Sequence, residues 1–143
     1  MKIRQLTLML IPIALLAVLA CEHTIPTEPE MPGGSQATLS RIQTTIFSQK
    51  CATSGCHVPG GTAPMAMRAV QESYANLVGV SSTQRPAIKR VTPNDPDNSY
   101  LLQKLQRVSG IQGDRMPPAG RPGLSSSEID LIEEWISNGA ENN

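Results

Sequence analysis

Apolar residues recur at helical rather than strand spacing along most of this chain. Leu39, Ile42, Ile46 and Phe47 recur at three- and four-residue intervals, which predicts an amphipathic helix running directly into Cys51. Towards the other end, Ser125-Ser-Ser-Glu128 has the form of a capping box. Ile129, Ile132 and Ile136 continue from it as one stripe, with Leu131 and Trp135 beside them. Gly139 stands where a helix C-terminus places a glycine. Two shorter helices are predicted in between. One covers residues 70–78, carries Tyr74, Leu77 and Val78, and stops at Gly79. The other takes Asp95 as N-cap and Pro96 as its first helical residue, carries Tyr100, Leu101, Leu102 and Leu105, and ends near residues 108–110. No segment shows sustained period-two alternation, and no hairpin turn brackets a strand pair. The pattern predicts an all-α fold of about four short helices joined by long Pro/Gly-rich loops.

A different pattern opens the chain. Residues 6–19 form an apolar run behind Lys2 and Arg4, and Val-Leu-Ala precedes Cys21. A basic start, a short apolar stretch and small residues at its end describe an export signal over residues 1–20, not a membrane-spanning helix. Cysteine directly after Leu-Ala resembles a bacterial lipobox. That resemblance implies lipidation of Cys21 and an anchor in the cell envelope, facing the periplasm or at the cell surface. Glu22, in place of Asp, resembles enterobacterial lipoproteins of the outer membrane. An ordinary signal peptide followed by an incidental cysteine is the alternative. Residues 21–37 hold Pro26, Pro29, Pro32, Gly33, Gly34 and Ser35 with almost nothing apolar, and read as a tether. In polyproline-like geometry, at ~3.1 Å per residue, it spans up to ~50 Å. Residues 38–143 remain as one domain, an ordinary size for a single core.

Composition changes this picture at one point. The 12 Lys+Arg and 12 Asp+Glu balance, and removing Lys2 and Arg4 leaves 10 against 12, a net of −2. No basic block exists, which argues against nucleic acid as a partner. The chain holds only one Phe, one Trp and two Tyr, against 12 prolines and 11 glycines. Aromatic residues supply much of a small core, so this one is under-furnished. A buried porphyrin would make up the deficit; a modest core held by one disulfide is the other solution.

The candidate chemistry lies in Cys51-Ala-Thr-Ser-Gly-Cys56-His57. Cys-x-x-Cys-His marks covalent attachment of c-type haem, the thiols adding to the porphyrin vinyl groups and the histidine ligating iron. Four residues separate these cysteines instead of two, so a Cys51–Cys56 disulfide in an oxidising compartment competes with haem. Zinc would be one ligand short. A haem that transfers electrons takes a second axial ligand, often Met. His23, the only other histidine, lies in the tether, as does Met31. Met65 and Met67 follow His57 by eight and ten residues, a short loop to wrap from one haem face to the other. Met116 follows by 59, immediately before Pro117 and Pro118, which bias it towards extended geometry. Met116 is the expected sixth ligand, with Met65 and Met67 as rivals.

The order of helix, Cys–Cys–His, small helices, Met-Pro-Pro and terminal helix resembles class I cytochromes c over nearly all of residues 38–143. In that family an aromatic residue four before the first haem cysteine packs against an aromatic on the last helix; Phe47 and Trp135 stand in those places. Cys51-Ala-Thr-Ser-Gly-Cys-His57, Asn94-Asp-Pro-Asp-Asn-Ser-Tyr-Leu-Leu102 and Arg115-Met-Pro-Pro118 are similar to cytochrome c-like domains of environmental bacteria with widened haem motifs. The resemblance implies a cytochrome c-like fold and one covalent haem c on Cys51 and Cys56, with His57 and Met116 as iron ligands. It implies one-electron transfer with redox partner proteins in the cell envelope rather than enzymatic turnover of a small molecule. Gly55, permissive of positive φ, is expected to absorb the two extra residues as a bulge. Arg90 and Arg115 are candidates to offset the propionates. The alternative functions are a non-redox envelope lipoprotein domain closed by a disulfide, and a haem subunit of a larger oxidoreductase complex.

Overall fold

A computed structural model describes residues 36–143. The export signal, Cys21, His23, Met31 and the tether as far as residue 35 lie outside the described residues. The packed domain begins one residue before the expected boundary. Ala37, read from sequence as the last tether residue, is buried in the core.

Helix α1 starts at Leu39–Ile42, capped by Thr38, whose side chain accepts a hydrogen bond from the Arg41 backbone N–H. It continues as π-helical turns over Gln43–Cys51. Sequence periodicity predicts one amphipathic helix here, and the widening is a feature the apolar pattern leaves open. Each π-helical N–H reaches back five residues, so a turn holds between four and five. Ile42, Ile46/Phe47 and Cys51 then recur once per turn, and the helix delivers the cysteine on the same side as its buried residues. The last such bond runs from the Ala52 N–H to the Phe47 carbonyl at 2.7 Å. Its N-terminus is held by Asn143, whose side-chain Oδ1 accepts from the Leu39 N–H at 2.9 Å.

Helix α2 covers Val70–Leu77, α3 covers Tyr100–Gln106 and α4 covers Ser126–Ser137. Among the described residues these are all the helices, and no strand forms. Two isolated bridges, Val78 to Val91 and Ser81 to Lys89, tie the two sides of the loop after α2. The all-α expectation therefore holds at the level of class. Helix α1 packs against α2 and α4, and α3 packs against α4. Their shared core contains Leu39, Ile42, Ile46 and Phe47 from α1, Leu77 from α2, Leu102 and Leu105 from α3, and Ile132, Trp135 and Ile136 from α4. Phe47 and Trp135, at 1% exposure each, are buried in that one cluster.

The expected ends of α4 are both present. Ser125 and Glu128 form a reciprocal capping box, and Gly139 follows the C-cap Asn138 at φ +100°. The start of α3 is a correction. Asp95 and Pro96 do not open it; the helix begins at Tyr100 with Ser99 as N-cap. The Asp95 carboxylate accepts from the Asn98 backbone and side chain, and the Ser99 hydroxyl donates to the Asp95 carbonyl at 2.8 Å. These local bonds hold residues 95–99 as a turn, an established competitor of helix formation for such residues. At its far end α3 stops at Gln106, because Arg107 is left-handed at φ +57°.

Candidate functional site

Cys51 ends the π-helical part of α1, and the chain turns immediately. The Cys56 N–H bonds to the Thr53 carbonyl at 3.0 Å, and the His57 N–H bonds to the Cys51 carbonyl at 3.2 Å. The two extra residues are absorbed as the sequence suggests, with Gly55 at φ +78°. The bulge is then sealed from the other side. Thr62 donates to the Gly55 carbonyl from its backbone N–H at 3.1 Å and its hydroxyl at 3.0 Å. Gly61 lies so close beneath the motif that a Cβ there would stand 2.0 Å from the Cys56 carbonyl oxygen.

Cys51, Cys56, His57 and Met116 all line one cavity of about 260 Å³. Phe47, Leu77, Leu101, Leu105 and Leu124 supply apolar wall, and Met65 and Met67 line it as well. All the sulfur ligands considered from sequence within the domain are thus brought together with the histidine. Met116 is positioned from α3: its N–H bonds to the Lys104 carbonyl at 2.9 Å. Cys51 and Cys56 are free thiols, each half-buried. Burial, assisted by Cys56 and Glu128 against the opposing pull of Lys50, pushes the Cys51 thiol up to about 11, so it is protonated at neutral pH. Among the described residues no three His, Cys, Asp or Glu side chains converge as a metal-holding group.

His57 is held by one ring nitrogen. Its Nδ1 lies 3.1 Å from the Met65 carbonyl oxygen. A carbonyl only accepts, so Nδ1 carries the proton and Nε2 keeps its lone pair. Burial holds the imidazole below its ordinary value; the bond to Met65 opposes this and the Arg90 charge adds to it. His57 is therefore neutral at pH 7, the form that ligates a metal.

Two buried cations, Arg90 and Lys104, line the cavity. Arg90 is buried and donates from Nη1 to the Asn76 carbonyl at 2.7 Å. Lys104, also buried, donates to the Gln112 carbonyl at 2.8 Å, and its Nζ lies 5.9 Å from the Tyr100 ring centroid. Burial lowers the pKa of both, opposed at Lys104 by Asp114. Among the described residues neither is within ion-pair distance of a carboxylate; the pairs formed are Lys50–Glu128 and Arg68–Glu72. Arg115, the other arginine considered from sequence, lines a separate surface cleft with Arg107 and Asp114, whereas Pro117 and Pro118 on the far side of Met116 line the main cavity. Arg121 also lines the main cavity, donating to the Thr53 hydroxyl in the widened loop at 3.2 Å.

Sequence reasoning missed Lys104 and Arg121. Lys104 carried a signal: it stands four residues after Tyr100 and three after Leu101, on the inward stripe of α3. Arg121 carried none, since an arginine after Pro-Pro-Ala-Gly reads the same whether it is solvated or turned inward. Comparison of the chain with protein-family models, with curated proteins and with solved structures gives no match.

Proposed function

We propose that this protein is a mono-haem c-type cytochrome, an electron carrier tethered to the bacterial envelope through Cys21. The observation that carries this reading is the meeting of Cys51, Cys56, His57 and Met116 on one largely apolar cavity, with the His57 proton committed to Met65. The donor set fits the group. Two free thiols flank a neutral imidazole whose lone pair is on Nε2, and a thioether arrives from a distant segment. At about 260 Å³ the cavity lies just under the usual range of roughly 300–1,000 Å³ for ligand sites, so the fit rests on the donors rather than on volume.

In this reading Cys51 and Cys56 would hold the porphyrin and His57 would be an iron ligand. Met116 is favoured over Met65 as the distal one. The Met65 backbone is bonded to the histidine itself and so starts from the histidine's side, whereas Met116 is presented by α3. Bound there, a haem supplies reversible one-electron transfer at a potential raised by the thioether ligand. The protein's own part is to orient the imidazole, exclude water with the leucine walls, and offset the propionate carboxylates with Arg90 and Lys104. Two buried cations without carboxylate partners are costly alone, and the propionate carboxylates of a bound haem would offset that cost.

The test is expression with a c-type maturation system, followed by a haem stain on a denaturing gel. A stained band is expected, lost in the Cys51→Ser/Cys56→Ser double variant. A colourless band, with the chain two hydrogens lighter than its reduced form, identifies the disulfide protein and ends the cytochrome reading. Mass analysis for diacylglycerol on Cys21 tests the anchor in the same sample.

A further inference from the structure

Behind His57, three consecutive carbonyls are each captured by a side chain. Met65 O accepts from His57 Nδ1 at 3.1 Å, Ala66 O from Asn76 Nδ2 at 2.8 Å, and Met67 O from Gln43 Nε2 at 2.9 Å. The Met67 N–H returns to the His57 carbonyl at 3.0 Å, closing the loop on the histidine from both sides. Gln43 is 3% exposed and Ser73 0%. The Ser73 hydroxyl donates to Gln43 Oε1 at 2.6 Å, which fixes the amide with its NH₂ turned towards Met67. Asn76 also accepts from Arg90 through its own carbonyl, linking this network to a cation that lines the cavity.

Burying an amide and a hydroxyl in a helical core is unfavourable unless both are satisfied. A leucine at residue 43 and an alanine at 73 would pack without that demand. Apart from a bond of Gln43 Nε2 to the Ser48 hydroxyl at 3.0 Å within α1, the pair acts on the backbone of residues 65–67, and that backbone acts on His57. We infer that Gln43, Ser73 and Asn76 are positioning residues for His57, holding residues 65–67 so that Met65 O keeps the imidazole proton on Nδ1 and the lone pair on Nε2. Partners that orient a ligating histidine in this way set its tautomer and ring plane. Met65 and Met67, considered from sequence as ligands, also enter this network through their carbonyls. The value of the device rests on the proposed haem ligation, but the device itself is observable without haem.

The experiment uses the ¹⁵N-labelled full-length chain without haem at about pH 8, above the ordinary imidazole titration. Two-bond nitrogen–proton correlations distinguish the tautomers, and His23 serves as the internal comparison. His57 is expected as the Nδ1–H form in the unaltered chain. Gln43→Leu should lower its Nδ1–H to Nε2–H ratio about tenfold, the scale of one lost buried hydrogen bond. Ser73→Ala, which removes only a hydroxyl, should move the ratio the same way by less. A residue important only for stability would lower the melting temperature and leave the tautomer alone. If both variants melt cooperatively and His57 stays wholly Nδ1–H, the inference is wrong. The haem stain fails or succeeds separately, so loss of one reading does not mask loss of the other.

Discussion

At Gly61 the absence of a side chain decides whether the turn after Cys56 can close. A Cβ would meet the Cys56 carbonyl oxygen at 2.0 Å, so the backbone beneath the motif must shift to admit one. Gly61→Ala is expected to lower stability by about 1–3 kcal/mol in chemical denaturation, the range for overpacking a tight site. A change within a few tenths of a kcal/mol would show that the turn is looser than described. Gly55 is constrained differently: its φ of +78° disfavours any L side chain, but a Cβ there meets nothing within 4 Å. Gly55 was legible in the sequence because widening the motif demanded a permissive residue at that point. Gly61 was not, since its constraint arises only when the chain folds back on Cys56.

Between elements, an ion pair joins the end of α1 to the start of α4. Lys50 Nζ lies 2.7 Å from Glu128 Oε2, one residue before Cys51. The same carboxylate oxygen accepts from the Ser125 N–H at 2.7 Å, so Glu128 serves the cap and the cross-link together. Burial alone would raise the Glu128 pKa; donation from Lys50 and Ser125 outweighs it and holds the carboxyl below its ordinary value. A depressed carboxylate stabilises the fold above its unfolded pKa and ceases to as pH falls through its lower folded one. Glu128→Gln is therefore expected to cost about 1 kcal/mol at neutral pH, combining a partly exposed pair with a cap. That difference should shrink as pH is taken below about 4.3. Urea titrations of both chains across this range check it, and a gap that widens on acidification refutes it. The capping box was readable because its residues are three apart. Lys50 was not, since its partner is 78 residues away.

Across the whole molecule, one cavity collects residues scattered from Phe47 to Leu124. With haem attached, Met116→Ala is expected to keep the covalent link but lose the Met–Fe(III) charge-transfer band and lower the midpoint potential by on the order of 0.1 V. Spectroelectrochemistry reads both. If they survive in Met116→Ala and vanish in Met65→Ala, the distal ligand is Met65.

By itself the sequence determined the helical class, the capping box of α4, the burial of Phe47 and Trp135, and the bulge at Gly55. Each of these depends on residues a few positions apart, where periodicity, propensity and φ preference act directly. Tertiary structure alone decided the π-helical end of α1, the late start of α3, the place of Arg121 on the main cavity, and the capture of residues 65–67 by His57, Asn76 and Gln43. In those cases alternative local arrangements lie within a few hydrogen bonds of one another, and the partners that choose between them are brought close only by the packing of α1, α2 and α3 around the cavity.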